Sequence, residues 1–230
     1  MRNYRKSDPE LARIVERFAY TEVAKDGEHQ LKGNDRHLAI LSALMGCGGV
    51  DLFALELERA IDDGFDPVAA RELVYQGNDY LGMGRTLPFL EELDRVLEEK
   101  GIILPLPDQG TVGEEDRLEK GAQAQGEIFG PQMLEAWKDG TVNRHLAANC
   151  FGDFYTRKGL DLRERELVTF CFLLAQGGCE PQLVAHSRGN MNMGNDASYL
   201  ESVTLNVLPY VGYPRSLNAL AAVRKACSGQ

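Results

Sequence analysis

Apolar residues recur along this chain every three or four positions, the spacing that gathers them on one face of an α-helix. Leu11, Ile14, Val15 and Phe18 do so between Pro9 and about Val23, behind Asp8 and Pro9, a cap and first-turn pair. Arg36 to Met45 reads as an apolar helix stopped by Gly-Cys-Gly-Gly. Leu52 to Asp63 reads as another, stopped at Gly64, and Pro67 opens a third that runs to about Tyr80. Between Arg85 and Lys100, Leu90, Leu93 and Leu97 share a face, and Gly101 ends the helix. Gly101 to Asp116 is rich in glycine and proline, lacks periodicity and reads as an ordered connector. Helical patterns then resume over Arg117 to Trp137, Val142 to Tyr155, Leu162 to Gln176, Pro181 to Met193, Ala197 to Leu208 and Pro214 to Cys227. No convincing strand series is present. The pattern predicts an all-α fold.

The two series of helices resemble each other. Gly64-Phe-Asp-Pro recurs 130 positions later as Gly194-Asn-Asp-Ala, and Tyr80-Leu-Gly-Met-Gly-Arg as Tyr210-Val-Gly-Tyr-Pro-Arg. A shift of 129 carries Arg36 and Leu38 onto Arg165 and Leu167. Agreement over several blocks at a nearly constant offset points to duplication. It predicts a first unit over 1–100, a connector over 101–120 and a second unit over 121–230, packed with pseudo-twofold symmetry. Two copies do not make a solenoid, which needs three or more.

Composition narrows the partners. The 230 residues carry a formal net charge of -10, against the positive surface that nucleic-acid binding needs. No apolar run reaches the roughly 18 residues of a membrane-spanning helix. The basic N-terminus lacks the apolar core of a signal peptide. Five widely spaced cysteines do not form a disulfide framework, so the cytoplasm is the expected location.

Candidate chemistry gathers in the second copy, in Cys179-Glu-Pro-Gln-Leu-Val-Ala-His186. Pro181 suits the first turn of a helix, which places Cys179 at the N-terminal end, where free N–H groups and the helix dipole favour a thiolate. His186 follows on a similar face, roughly 10 Å along the axis at 1.5 Å per residue, so a direct bond is not assured. The alternative is a buried free cysteine with a capping or core histidine. Glu166, behind the capping residue Asp161 and the solvated turn Arg163 to Arg165, either stabilises its helix start or leans into a pocket as a proton-transfer carboxyl. Two soft ligands without a Cys-x-x-Cys are not a zinc site. In the first copy Gly49 stands for Cys179 and Glu56 for His186, with Cys47 displaced by two positions. Chemistry is therefore expected in the second copy.

Three blocks carry a resemblance to a known family: Phe151 to Phe170 (FGDFYTRKGLDLRERELVTF), Cys179 to Asn195 (CEPQLVAHSRGNMNMGN) and Tyr210 to Leu220 (YVGYPRSLNAL). With the connector Leu104 to Gly130, they resemble the carboxymuconolactone decarboxylase family in its tandem-domain form, within the alkylhydroperoxidase D-like group. The resemblance implies helical units assembled in rings, hence a homo-oligomer, a trimer of tandem chains. It also implies one of two activities. Decarboxylases of this kind release carbon dioxide from a small carboxylated lactone without a cofactor or metal. Peroxidase-like members reduce hydroperoxides through Cys-x-x-Cys-x-x-x-His and an upstream glutamate. Here the first cysteine falls on Cys179, the histidine on His186 and the glutamate on Glu166, but the second cysteine falls on Gln182, which cannot resolve a sulfenic acid.

The preferred expectation is thus a cofactor-independent carboxy-lyase. His186 is its acid or base, Glu166 sets the imidazole tautomer, and Cys179 lines the cavity. Arg188 anchors a carboxylate, with Gln182 also on the substrate side. A single-cysteine peroxidase, with peroxiredoxin activity, is the runner-up, and a non-catalytic binding member the third.

Overall fold

The structure, a computed structural model, describes residues 4–31 and 33–228. All regular elements among them are helical. Helix α1 (Tyr4–Ser7) precedes α2 (Pro9–Arg17), which runs on as a π-helical stretch, Phe18–Val23. The first series follows as α3 (Asn34–Cys47), α4 (Val50–Asp62), α5 (Pro67–Leu81) and α6 (Met83–Glu99). After the connector come α7 (Arg117–Phe129) and α8 (Thr141–His145), the latter continued by a second π-helical stretch, Leu146–Tyr155. The second series is α9 (Leu162–Gln176), α10 (Glu180–Asn192), α11 (Ala197–Val211) and α12 (Tyr213–Ser228). No described helix is long and apolar enough to cross a membrane.

The two series match at their helix ends. Asp66 caps α5 by accepting from Val68 N, and Asp196 caps α11 by accepting from Tyr199 N. Gly82 and Gly212 end these helices at φ 79° and 82°, a region that a side chain disfavours. The central helices α3 and α9 cross so closely that a methyl group on Gly46 would lie 2.7 Å from Ala175 Cβ. Gly46 and Ala175 are 129 positions apart, so equivalent residues of the two series touch each other. That is the contact expected beside a pseudo-twofold axis. One hydrophobic core spans both series, from Leu38, Leu41 and Leu44 through Phe170 and Leu174 to Val203 and Ala222. A smaller cluster, Ile128, Cys150, Phe151 and Tyr155, lies under α7.

Two expectations are corrected here. Helix α7 stops at Phe129, short of Trp137, because Gly130 takes φ 104° and Pro131 disfavours helix before it. Arg165, expected in a solvated turn, is fully buried. Its guanidinium meets Glu72 at 3.2 Å, Gln76 Oε1 at 3.1 Å and the Arg157 carbonyl at 2.9 Å, tying α9 to α5. Arg157 joins the same carboxylate at 2.9 Å. Arg71 donates to the carbonyls of Leu106 and Pro107 and so fastens the connector. A capping box between Asp161 and Glu164 starts α9 and fixes which residues turn inward.

Candidate active site

Glu166, one turn into α9, is fully buried, and His186, midway along α10, keeps its imidazole 12% exposed. The Glu166 carboxylate faces His186 Nδ1 at 2.9 Å through Oε2 and at 3.2 Å through Oε1. The backbone beneath them is locked. Asn190 Nδ2 donates to the carbonyls of Glu166 and His186, both at 2.8 Å, and Asn195 Nδ2 holds Asn190 Oδ1 at 2.9 Å. Gly189 makes room: a methyl group there would meet Glu166 Oε2 at 2.5 Å and Phe129 Cε1 at 2.8 Å.

The surroundings are aromatic. Phe129 and Tyr80 both stand edge-on to the His186 ring, with centroids 5.2 and 5.6 Å away, and Phe151 packs against Phe129. The Tyr155 hydroxyl donates to Glu166 Oε1 at 3.1 Å and also lies 2.6 Å from Thr169 Oγ1 and 2.7 Å from the Tyr80 hydroxyl. Burial pushes both phenols well above their ordinary range, so they remain protonated donors. Beyond Tyr80 lie Cys150 and Asp79. The Cys150 thiol is likewise pushed up by burial. Asp79, desolvated and near Asp153, is pushed up to about 7 against the pull of a Cys150 hydrogen bond and of Arg165.

The other sequence-predicted residues are placed elsewhere. Cys179 does stand at the N-cap of α10, yet its thiol points to the Leu173 carbonyl at 3.3 Å. Burial, followed by the charge of Glu180, raises its pKa, which outweighs the helix-end effect that favours a thiolate. Arg188 extends to the Ala226 carbonyl on α12 at 3.0 Å, away from the pair, because successive turns of α10 face different neighbours. Gln182 is exposed. Tyr80, Tyr155, Thr169 and Asn190 were not anticipated as site residues. Tyr80 had one sequence signal: it belongs to the Tyr-x-Gly turn that recurs at Tyr210.

The first series has a counterpart cluster. Glu56, which occupies the position of His186, is buried and binds the Tyr20 hydroxyl at 2.5 Å and Arg59 Nη1 at 2.7 Å. Arg59 stands where α10 has Gly189. Its guanidinium covers the Tyr20 ring at 4.5 Å from the centroid and also bonds the Tyr20 hydroxyl. His37 occupies the position of Glu166, so acid and imidazole have exchanged helices. Its ring lies 3.6 Å from Asp63.

Residues 141–225 match the Carboxymuconolactone decarboxylase family. No curated protein matches the chain. The matched segment runs from α8 into α12 and contains Glu166, Cys179, Gln182, His186 and Arg188. Tyr80 and Phe129 lie outside it. Among the described residues no group of three His, Cys, Asp or Glu side chains is placed to hold a metal ion. The chemistry that this geometry offers is proton transfer. A carboxylate stands against an imidazole at Nδ1, an arrangement able to orient the ring for proton exchange.

Proposed function

We propose that the chain is a cofactor-independent lyase acting on a small, unsaturated, carboxylated ring compound such as a carboxymuconolactone. The observation that carries this reading is the Glu166–His186 pair at 2.9 Å, inside the segment that matches the decarboxylase family. Loss of carbon dioxide leaves an electron pair that passes into the unsaturated ring system, and a carbon atom must then be protonated. His186 Nε2 is the acid for that step, and Glu166 stabilises the imidazolium that forms when the imidazole is recharged. Tyr80 and Phe129 surround the imidazole with aromatic surface, which favours a partly apolar substrate. Arg188 has no part in this scheme, because its guanidinium serves the C-terminal turn of α12.

Thiol-dependent peroxide reduction is disfavoured by the geometry of its nucleophile. That nucleophile is Cys179, whose thiol is turned to a carbonyl and whose pKa is raised by burial. The deciding experiment follows carbon dioxide release from 4-carboxymuconolactone with purified parent, His186→Ala and Cys179→Ser proteins. The proposal expects His186→Ala to lose about 100-fold or more, the scale of a positioned acid or base, and Cys179→Ser to retain most of the rate. Peroxide consumption that disappears with Cys179→Ser, and no carbon dioxide from the parent, would replace this reading with the thiol one.

A further inference from the structure

We infer that Tyr80, supplied by the first helical series, is a positioning residue for His186 in the second. It acts through Tyr155 and Glu166 to hold the imidazole in the tautomer protonated at Nδ1. The inference rests on the reading of Glu166–His186 as the proton-transferring pair, but its test needs no substrate.

Hydrogen-bond directions follow from counting protons. Gln76 Nε2 donates to Thr169 Oγ1 at 2.9 Å, and the same nitrogen donates to the Arg165 carbonyl at 2.8 Å. Gln76 Oε1 accepts from Arg165, so the amide cannot be reversed. Thr169 therefore spends one lone pair on Gln76 and directs its own proton to Tyr155, 2.6 Å away. Tyr155 has one proton, and its hydroxyl lies 3.1 Å from a carboxylate oxygen that can only accept. The Tyr155 proton goes to Glu166, and the Tyr155 oxygen accepts from both Thr169 and Tyr80. Tyr80, 2.7 Å away, must be the donor in that pair. The Cys150 sulfur lies 3.8 Å behind it.

The result is a chain of donors that all point one way, from Tyr80 to Tyr155 and from Tyr155 to Glu166. Bonds aligned in this manner polarise one another. At its end Glu166, already accepting from Tyr155 at Oε1, faces His186 Nδ1 at 2.9 Å through Oε2, and only an N–H fits there. Nε2 is then the unprotonated nitrogen of the neutral ring. Tyr80 also stands edge-on to the imidazole, so it limits rotation of the ring as well as directing Glu166.

A partial counterpart lies across the axis. Tyr210, the equivalent of Tyr80, reaches from the second series toward the cluster of Tyr20 and Glu56. Burial first, and then the charges of Glu56 and Tyr20, raise its pKa. Its hydroxyl makes no hydrogen bond there, so the donor chain is not completed on that side. Tyr20, like Tyr155, is carried on a π-helical stretch. Each series thus sends its closing-turn tyrosine toward the other series' buried glutamate. Only in the second does an imidazole follow.

The test is the tautomer of His186, read from long-range proton–nitrogen correlation spectra of the full-length, nitrogen-15-labelled chain at about pH 8.5, where an ordinary imidazole is neutral. Four histidines are present, so a His186→Gln spectrum assigns the signal. The parent is expected to show a protonated δ nitrogen and an unprotonated ε nitrogen. Tyr80→Phe and Tyr155→Phe are each expected to move both nitrogen shifts toward their tautomer-averaged value, with Tyr155→Phe moving them further. A role in packing alone would lower Tm and leave the tautomer as it was. A parent imidazole protonated at Nε2, or unchanged nitrogen shifts in the folded Tyr variants, overturns the inference. If one variant does not fold, the other and the parent spectrum still decide. A correct tautomer in a parent that releases no carbon dioxide would retain the positioning role and reject the proposed reaction.

Discussion

Across the pseudo-twofold axis, two buried glutamates meet different partners. Glu166 faces an imidazole at 2.9 Å, whereas Glu56 faces the Arg59 guanidinium at 2.7 Å and the Tyr20 hydroxyl at 2.5 Å. A guanidinium does not release its proton in any ordinary pH range, so the Glu56 cluster is a fixed ion pair. An imidazole can both accept and release a proton, so Glu166 and His186 are a candidate acid–base pair. One position separates the two arrangements. Where α10 has Gly189, leaving space for a carboxylate beside a ring, α4 has Arg59, which fills that space with charge. His37, at the position of Glu166, is drawn toward Asp63, and burial lowers its pKa, which keeps it neutral and away from Glu56's bonds. The same backbone therefore supports a structural clasp in one half and a candidate acid–base site in the other.

The most damaging way to remove that difference is to close the gap at Gly189. In Gly189→Ala the new methyl group meets the Glu166 carboxylate at 2.5 Å and the Phe129 ring at 2.8 Å, and α10 has little room to retreat while Asn190 holds it. Overpacking of this kind costs about 1–3 kcal/mol. The carboxylate, displaced from Nδ1, no longer orients the imidazole. The expected outcome is a lower Tm and a rate loss of about 100-fold in the decarboxylation assay. Retention of the full rate would mean that Glu166 contributes nothing to turnover.

A milder contrast concerns Asp79, whose counterpart in the second series is Pro209 and which therefore titrates on one side of the axis only. Desolvation pushes its carboxyl from the ordinary 3.8 up to about 7. The folded state holds this proton more tightly than the unfolded state does. Its contribution to stability is therefore greatest below about pH 4, falls as pH rises toward 7, and levels off above. Asp79→Asn removes the ionisable group and keeps the shape. It is expected to raise stability by on the order of 2–4 kcal/mol at pH 8 and by little at pH 4, because a tenfold change in proton affinity is worth about 1.4 kcal/mol. Urea unfolding at the two pH values reads this difference directly. An equal effect at both would show that the carboxyl ionises normally.

The helices were legible in the sequence because apolar spacing, helix-opening prolines and terminal glycines are local signals. Leu162 to Gln176 reads correctly to the residue, and the other boundaries of the two series move by only a few positions. Within the site, Glu166 and His186 were legible as residue types, but whether the two would meet was not. Their contact depends on the crossing of α9 and α10 and on Asn190, which ties both backbones. Arg165 and Arg188 show the opposite failing. A charged residue in a helix reads as solvated or as a ligand anchor until its partners are known. Glu72 and Gln76, some ninety positions away, bury Arg165, and the end of α12 takes Arg188. Tyr80 and Tyr155 were illegible for the same reason, since they come from different series and converge only after folding.

The claim that proton chemistry belongs to one glutamate and structural support to the other is tested most directly by replacing each in turn. Glu166→Gln and Glu56→Gln are compared for carbon dioxide release from 4-carboxymuconolactone and for Tm in the same preparations. The account predicts that Glu166→Gln loses about 100-fold in rate, as the imidazole loses its charged partner. Glu56→Gln should keep the parent rate while losing roughly 1–3 kcal/mol of stability, because Arg59 and Tyr20 no longer share a carboxylate. Loss of rate in Glu56→Gln with full activity in Glu166→Gln would contradict the account.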